Sequence, residues 1–433
     1  MTTKRILWAF LLAYTLLHLA SSVTQYSIFR GASSGDFNRA YQEAMEWSAS
    51  LGTPNPIWNL HPPFYYALLL WVDALAGGMR NSAVVFYCLQ FLFFPVALFC
   101  LTQAVWTGAG RPSWFAYGVT AVLAVNSQPF LETLALHKVE GIEFLLICLA
   151  LLAFRRKRDL WCGGLLMAAA NLKYLPALLL VHFGLKREWK VLWGAGVAAA
   201  LVVGVVVAAF GPRMLSFGFL GKAAALMLDH RHEGNRPEAS VEMQTLSGTV
   251  NRWLARPIPP TTFTEYLQRG GYVPVPNPSL AYGLAGGLKV LAILGWIFLL
   301  RRRWRERERE ARWPLHVLEI SLTLTMIFVI SQASRVHYSV LALPAFAAVG
   351  LLLAQRGATF RMRWRILFGL AYALTAMVIP GGLLNKLPPH PVWGHLHSWM
   401  YLWWSLPFYG VALLGLCAAG LHRRASITML GAK

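Results

Sequence analysis

Polar and apolar positions along this chain fall into long blocks rather than a fine alternation. Ile6–Val23, Val84–Val105, Val191–Phe210, Tyr282–Leu300, Leu341–Ala354 and Trp399–Leu421 carry almost no charge. Each approaches the roughly 20 residues that carry a helix across a bilayer. In lipid only a helix satisfies its own backbone groups within one segment. The pattern therefore predicts an all-α polytopic membrane protein with about twelve transmembrane helices. After the first, spans are expected near 83–106, 114–127, 141–154, 190–211, 281–300, 315–331, 338–354, 365–380 and 399–421, with a hairpin over 160–185. In that hairpin Lys173 is expected near the tip and Pro176 at the start of the return helix. Pro62–Gly77 is too short to cross and opens on two prolines, so it reads as an interfacial helix on the outer side.

Composition agrees. The 433 residues are 57% hydrophobic and 13% charged, against about 25% charged in soluble domains. The net charge of +21 would suit a nucleic-acid partner, but the basic residues gather in short blocks between apolar runs: Lys4–Arg5, Arg155–Arg158, Lys186–Lys190, Arg301–Arg312, Arg356–Arg365 and Arg423–Arg424. That is the positive-inside pattern. It places both termini in the cytoplasm, with 24 of the 39 Lys and Arg in inner segments. Residues 1–24 also resemble a signal peptide and are read as an uncleaved first span. The run at 301–312 reads as a solvated cytoplasmic loop against anionic lipid. The five cysteines all lie in apolar stretches, so no disulfide framework is implied. No internal repeat or second soluble domain is visible. The chain reads as one membrane-embedded domain, 1–433, with a first external loop at 25–82 and a long external loop at 212–280.

Under this topology the unusual polar residues share the outer side. The first loop supplies Asp36, Asn38, Glu43, Glu46 and His61. Further along come His137, Lys138 and Glu140, then Lys173, then Gln244, Asn251 and Arg252, then Arg335 and His337. Ionisable groups near membrane depth are functional candidates. The ordinary readings stand beside that one. Asp36 before a helix-prone run is a helix N-cap signal, and lysines and arginines near span ends snorkel to headgroups. The pairs His230/His232 and His395/His397 have metal-ligand spacing but no evident third ligand.

The segments GDFNRAY, HPPFYYALLLW, GGLLMAAANLKYLPALLLVHF followed by KREWK, MQTLSGTVNRWL and SRVHYSVLALPAF appear in that order over roughly residues 30–350. This order resembles the GT-C class of integral membrane glycosyltransferases. It is most similar to the bacterial family that includes the polyprenol-phosphate-mannose-dependent α-mannosyltransferases of phosphatidylinositol mannosides. The chain departs from that pattern at HKVEGIE, at His61 in place of tyrosine and at Met243 in place of asparagine.

The resemblance implies transfer of mannose or another hexose from a polyprenyl-phosphate donor to a lipid or glycan acceptor, with inversion, on the outer face of a bacterial inner membrane. It makes Asp36 the general base, with His337 orienting it. Lys173, Arg252 and Arg335 are the phosphate cations, and Glu140, Lys138, His61, Gln244 and Asn251 contact substrate. Phosphate is already a good leaving group, so one base suffices where glycoside hydrolysis needs two carboxylates. No cofactor and no obligatory metal are called for. A transporter or lipid-linked sugar flippase is the alternative, and a non-catalytic assembly protein a third. Transporters often carry internal repeats and polar residues at mid-membrane; here the polar residues gather at one interface.

Overall fold

The computed structural model describes residues 35–49, 62–108, 110–135, 139–212, 238–239, 243–255, 273–301, 309–310, 312–331, 336–355, 362–376, 388–389, 402 and 404–431. These residues are overwhelmingly helical. In chain order the helices are α1 (Gly35–Ala49), α2 (Pro63–Ala76), α3 (Met79–Val105), α4 (Trp114–Val125), α5 (Gln128–Ala135), α6 (Glu140–Arg155), α7 (Asp159–Leu172), α8 (Ala177–Leu185) and α9 (Trp189–Phe210). They continue as α10 (Leu246–Leu254), α11 (Pro278–Leu300), α12 (Trp313–Ile330), a 3-10 segment (Val336–Ala342), α13 (Leu343–Gln355), α14 (Met362–Ala376) and α15 (Leu406–Gly431). Two short strands, β1 (Glu238–Ala239) and β2 (Val273–Pro274), pair antiparallel with Glu238 opposite Pro274.

Among the described residues six helices are long and apolar enough to span: α3, α9, α11, α12, Tyr338–Gln355 and Leu406–Ala425. The sequence reading expects about twelve. Much of the difference lies in α4, α6, α7, α8 and α14, which run from 9 to 16 residues. At 1.5 Å per residue that is about 14–24 Å, short of the roughly 30 Å hydrocarbon core. The first expected span lies outside the described residues. α2 is 14 residues long and stops at Gly77, a left-handed cap.

Two kinds of helix surface result. α12 is buried along nearly its whole length, its polar side chains His316, Glu319 and Thr323 included, as befits a central helix. α11 leaves Leu284, Val290, Leu291, Leu294, Ile297 and Phe298 exposed, a face suited to lipid. α7 and α9 cross with no room for a side chain between them: a Cβ on Gly163 would stand 1.8 Å from the Val191 carbonyl oxygen, and one on Gly194 2.0 Å from that of Leu160. Small residues let helix backbones meet this closely in membranes.

The last helix starts at Leu406, later than the expected 399, because the chain turns through Ser405 with φ of 60°. Within 301–312 one residue departs from the sequence reading: Arg301 and Glu310 are exposed, but Arg309 is 2% exposed, and residues 302–308 and 311 lie outside the described residues. Arg309 reaches Asp159 at 2.7 Å and Glu188 at 3.0 Å, and its guanidinium lies 4.2 Å from the centre of the Phe154 ring. A charge run looks solvated in sequence because the acids that neutralise it sit on other helices.

Candidate active site

α1 carries Asp36 as its second residue, so the acid lies in the helix's first turn, where a negative charge is favoured by the helix dipole. The buried face of α1 is Phe37, Ala40, Ala44 and Trp47. It joins Tyr65, Tyr66 and Leu69 of α2, Phe86 of α3 and Phe210 of α9 in one apolar cluster. The same cluster contains Val139 and Leu172. Phe37, Val139 and Leu172 are the chain neighbours of Asp36, Glu140 and Lys173. Packing thus gathers three segments that stand far apart in sequence.

At that junction Glu140, the first residue of α6, is 1% exposed, and Lys173, just past α7, is 9% exposed. The Lys173 ammonium forms a buried ion pair with Glu140 and lies 3.6 Å from the centre of the Tyr338 ring. Tyr338 belongs to the 3-10 segment and follows His337 directly. α6 and α7 run antiparallel as a packed pair, which carries Lys173 back to the start of α6. Sequence proximity instead favours Lys138 as the partner of Glu140; Lys138 lies outside the described residues. Glu143, one turn along α6, is fully buried beside this pair, and the sequence reading did not single it out. An acid at i+3 from Glu140 at a helix start was the available signal.

The other end of α6 is a different environment. Glu140 and Arg155 stand about 22 Å apart along a helix rising 1.5 Å per residue. Arg155 shares its end with the Arg309 network and with a second buried cluster. There Lys186 meets Glu319 at 2.7 Å, His422 meets Glu319 at 3.2 Å, and Thr323 joins His182 at 2.8 Å. Glu140 and Lys173 therefore stand at the opposite end of α6 from Arg155 and Arg309.

The residues on α10 form a third environment. Thr245 caps this helix by accepting the Gly248 N–H at 3.0 Å. Arg252 is 3% exposed. Its Nη1 donates to the Met243 carbonyl at 2.8 Å, and its Nε and Nη2 donate to Ser405 Oγ at 3.0 and 2.7 Å. Gln244 Nε2 donates to the Leu402 carbonyl at 2.9 Å. These bonds tie α10 to the turn before α15. Asn251 sits on the same helix, half buried. Ser405 was not legible from sequence, yet a non-glycine residue with positive φ marks a held turn. Among the described residues Arg252 bonds to Met243, Thr249 and Ser405.

His61, Lys138 and Arg335 lie outside the described residues, as do His137, His230, His232, His395 and His397; for Asp36 and His337 the description stops at the backbone. Among the described residues no group of three or more His, Cys, Asp or Glu could hold a metal ion.

Residues 59–240 match the family model of Glycosyltransferase family 87. No curated protein and no solved structure matches the chain. The match covers less than half of the sequence. It includes Glu140 and Lys173 but ends before α10 and begins after Asp36. With the apolar helices, it supports a membrane glycosyltransferase of GT-C type. The chain is an enzyme of glycosyl transfer.

Proposed function

We propose that the chain transfers mannose or another hexose from a polyprenyl-phosphate donor to a lipid or glycan acceptor on the non-cytoplasmic face of a bacterial inner membrane, with inversion. The observation that supports this most is the convergence of the segments bearing Asp36, Glu140, Lys173 and His337 on one end of the bundle, through the cluster of Phe37, Val139 and Leu172 and the Lys173–Tyr338 contact.

In this reading Asp36 takes the proton of the acceptor hydroxyl as its oxygen attacks the anomeric carbon. The bond from that carbon to the phosphate oxygen breaks on the opposite face, and the electron pair leaves with the phosphate. Lys173 exchanges Glu140 for the donor phosphate as negative charge builds there. Arg335 adds a second cation, and His337 orients Asp36. Glu140, Lys138 and His61 face the sugar. Arg252, with Gln244 and Asn251, serves the donor from α10 while bonded to Ser405. Neither a cofactor nor a metal enters the scheme.

The test is transfer of labelled mannose from polyprenyl-phospho-mannose to an alkyl mannoside by purified chain in lipid nanodiscs. Formation of a disaccharide of inverted anomeric configuration is expected. A chain that accepts nucleotide-sugar instead and leaves the lipid donor untouched overturns the reading.

A further inference from the structure

α1 contains an acid that its own pattern does not ask for. Phe37, Ala40, Ala44 and Trp47 recur at helical spacing and bury one face. Their rings lie against α2, α3 and α9, with Phe37–Phe86 at 5.6 Å, Trp47–Tyr66 at 5.2 Å and Trp47–Phe210 at 5.6 Å between centroids. Glu43 lies on that same face and is 6% exposed. A leucine there would bury at far lower cost, since an ion taken out of water costs several kcal/mol before its partners repay it.

The partners are specific. Tyr66 of α2 donates its phenol O–H to Glu43 Oε2. Arg39, one turn earlier on α1, places Nε 3.4 Å from Oε1. Beside this bond Tyr41 donates to Asp73 Oδ1 at 2.6 Å, and Asp73 also accepts the Gly78 N–H at 3.0 Å. Apolar contact between rings tolerates sliding and rotation; a hydrogen bond from a phenol on one helix to a carboxylate on another does not. Glu43 follows Asp36 by seven residues, about two helical turns, so the two α-carbons lie on the same side of α1, about 10.5 Å apart along its axis. Whatever fixes Glu43 fixes the start of the helix as well.

We propose that Glu43, with Tyr66 as its partner, is a positioning residue for the transfer reaction: it sets the rotation and register of α1 on α2 and thereby the place of Asp36. The inference rests on the reading of Asp36 as the base.

The test compares Glu43→Leu, Glu43→Gln, Tyr66→Phe and the Glu43→Leu/Tyr66→Phe double variant with wild type, using the polyprenyl-phospho-mannose assay and thermal melting in the same nanodiscs. Glu43→Leu is expected to melt no lower than wild type while kcat falls at least about tenfold and donor KM stays within about threefold, because a small displacement of a base costs rate rather than binding. Glu43→Gln keeps an acceptor for the Tyr66 phenol and retains most of the rate. The double variant falls no further than the poorer single variant, within about twofold, since both changes remove one bond. Glu43→Leu at wild-type kcat, rate losses that simply track melting temperature, or multiplying losses in the double variant each overturn the proposal. Should Glu43→Leu not be recovered folded, Tyr66→Phe carries the same comparison. Wild-type chain that transfers nothing from this donor overturns the functional reading instead, which separates the two failures.

Discussion

Glu43 sits where the spacing of α1 calls for an apolar side chain, and burial pushes its carboxyl above the ordinary carboxylate value although the Tyr66 hydrogen bond and Arg39 pull the other way. The same burial, with Asp73, pushes the Tyr41 phenol up to about 12. A carboxyl raised in the folded state binds more protons folded than unfolded. Its contribution is therefore full below the ordinary value of 4.5 and is lost as pH rises through the folded value. Melting temperature is expected to decline over that interval and to decline less in Glu43→Gln; an identical slope in both would contradict this. At the same scale, the partner of Glu140 was beyond sequence reasoning. Proximity in sequence favours Lys138, and the antiparallel packing of α6 and α7 brings Lys173 to Glu140 instead.

Between elements, ion pairs matter according to how deeply they lie. Lys186 joins α8 to α12 through Glu319, with both side chains almost wholly buried. Lys157 meets Glu310 at 3.4 Å with side chains 57% and 82% exposed. Lys186→Met is expected to destabilise by up to about 3–5 kcal/mol because it takes the ammonium away from the buried Glu319 carboxylate and leaves it to His422. Lys157→Met should cost about 0–1 kcal/mol. Chemical or thermal unfolding in detergent separates them, and equal effects would contradict the assignment. Glycines divide the same way. Gly163→Ala or Gly194→Ala forces a methyl into a backbone oxygen across the α7–α9 crossing and should cost at least about 1–3 kcal/mol. Gly283→Ala on α11 meets nothing within 4 Å and should leave melting unchanged. The helices themselves were largely legible. Apolar runs announce α3, α9 and α11, and Pro63 and Pro176 mark the starts of α2 and α8. α5 was missed because QPFLETLA is a single short amphipathic stretch inside an expected loop. Its partner is the 3-10 segment some 200 residues later, which no local pattern shows.

For the whole molecule, the sequence orders the helices and says which loops share a side, but it does not say how close those loops come. Charge blocks give the orientation only as an expectation. Cysteine introduced at Ser34 and at Thr107, with Cys88 changed to alanine, tests it with an impermeant maleimide on intact cells. Ser34→Cys should label from outside and Thr107→Cys only after permeabilisation; labelling of both from one side would break the scheme. In the proposed mechanism one acid at the start of α1 accepts the acceptor's proton. Asp36→Asn keeps size and removes the base. Transfer from polyprenyl-phospho-mannose by that variant is expected to fall by about 10²–10⁴ at unchanged melting temperature, the range that a lost general base accounts for. Turnover within about threefold of wild type would contradict the account.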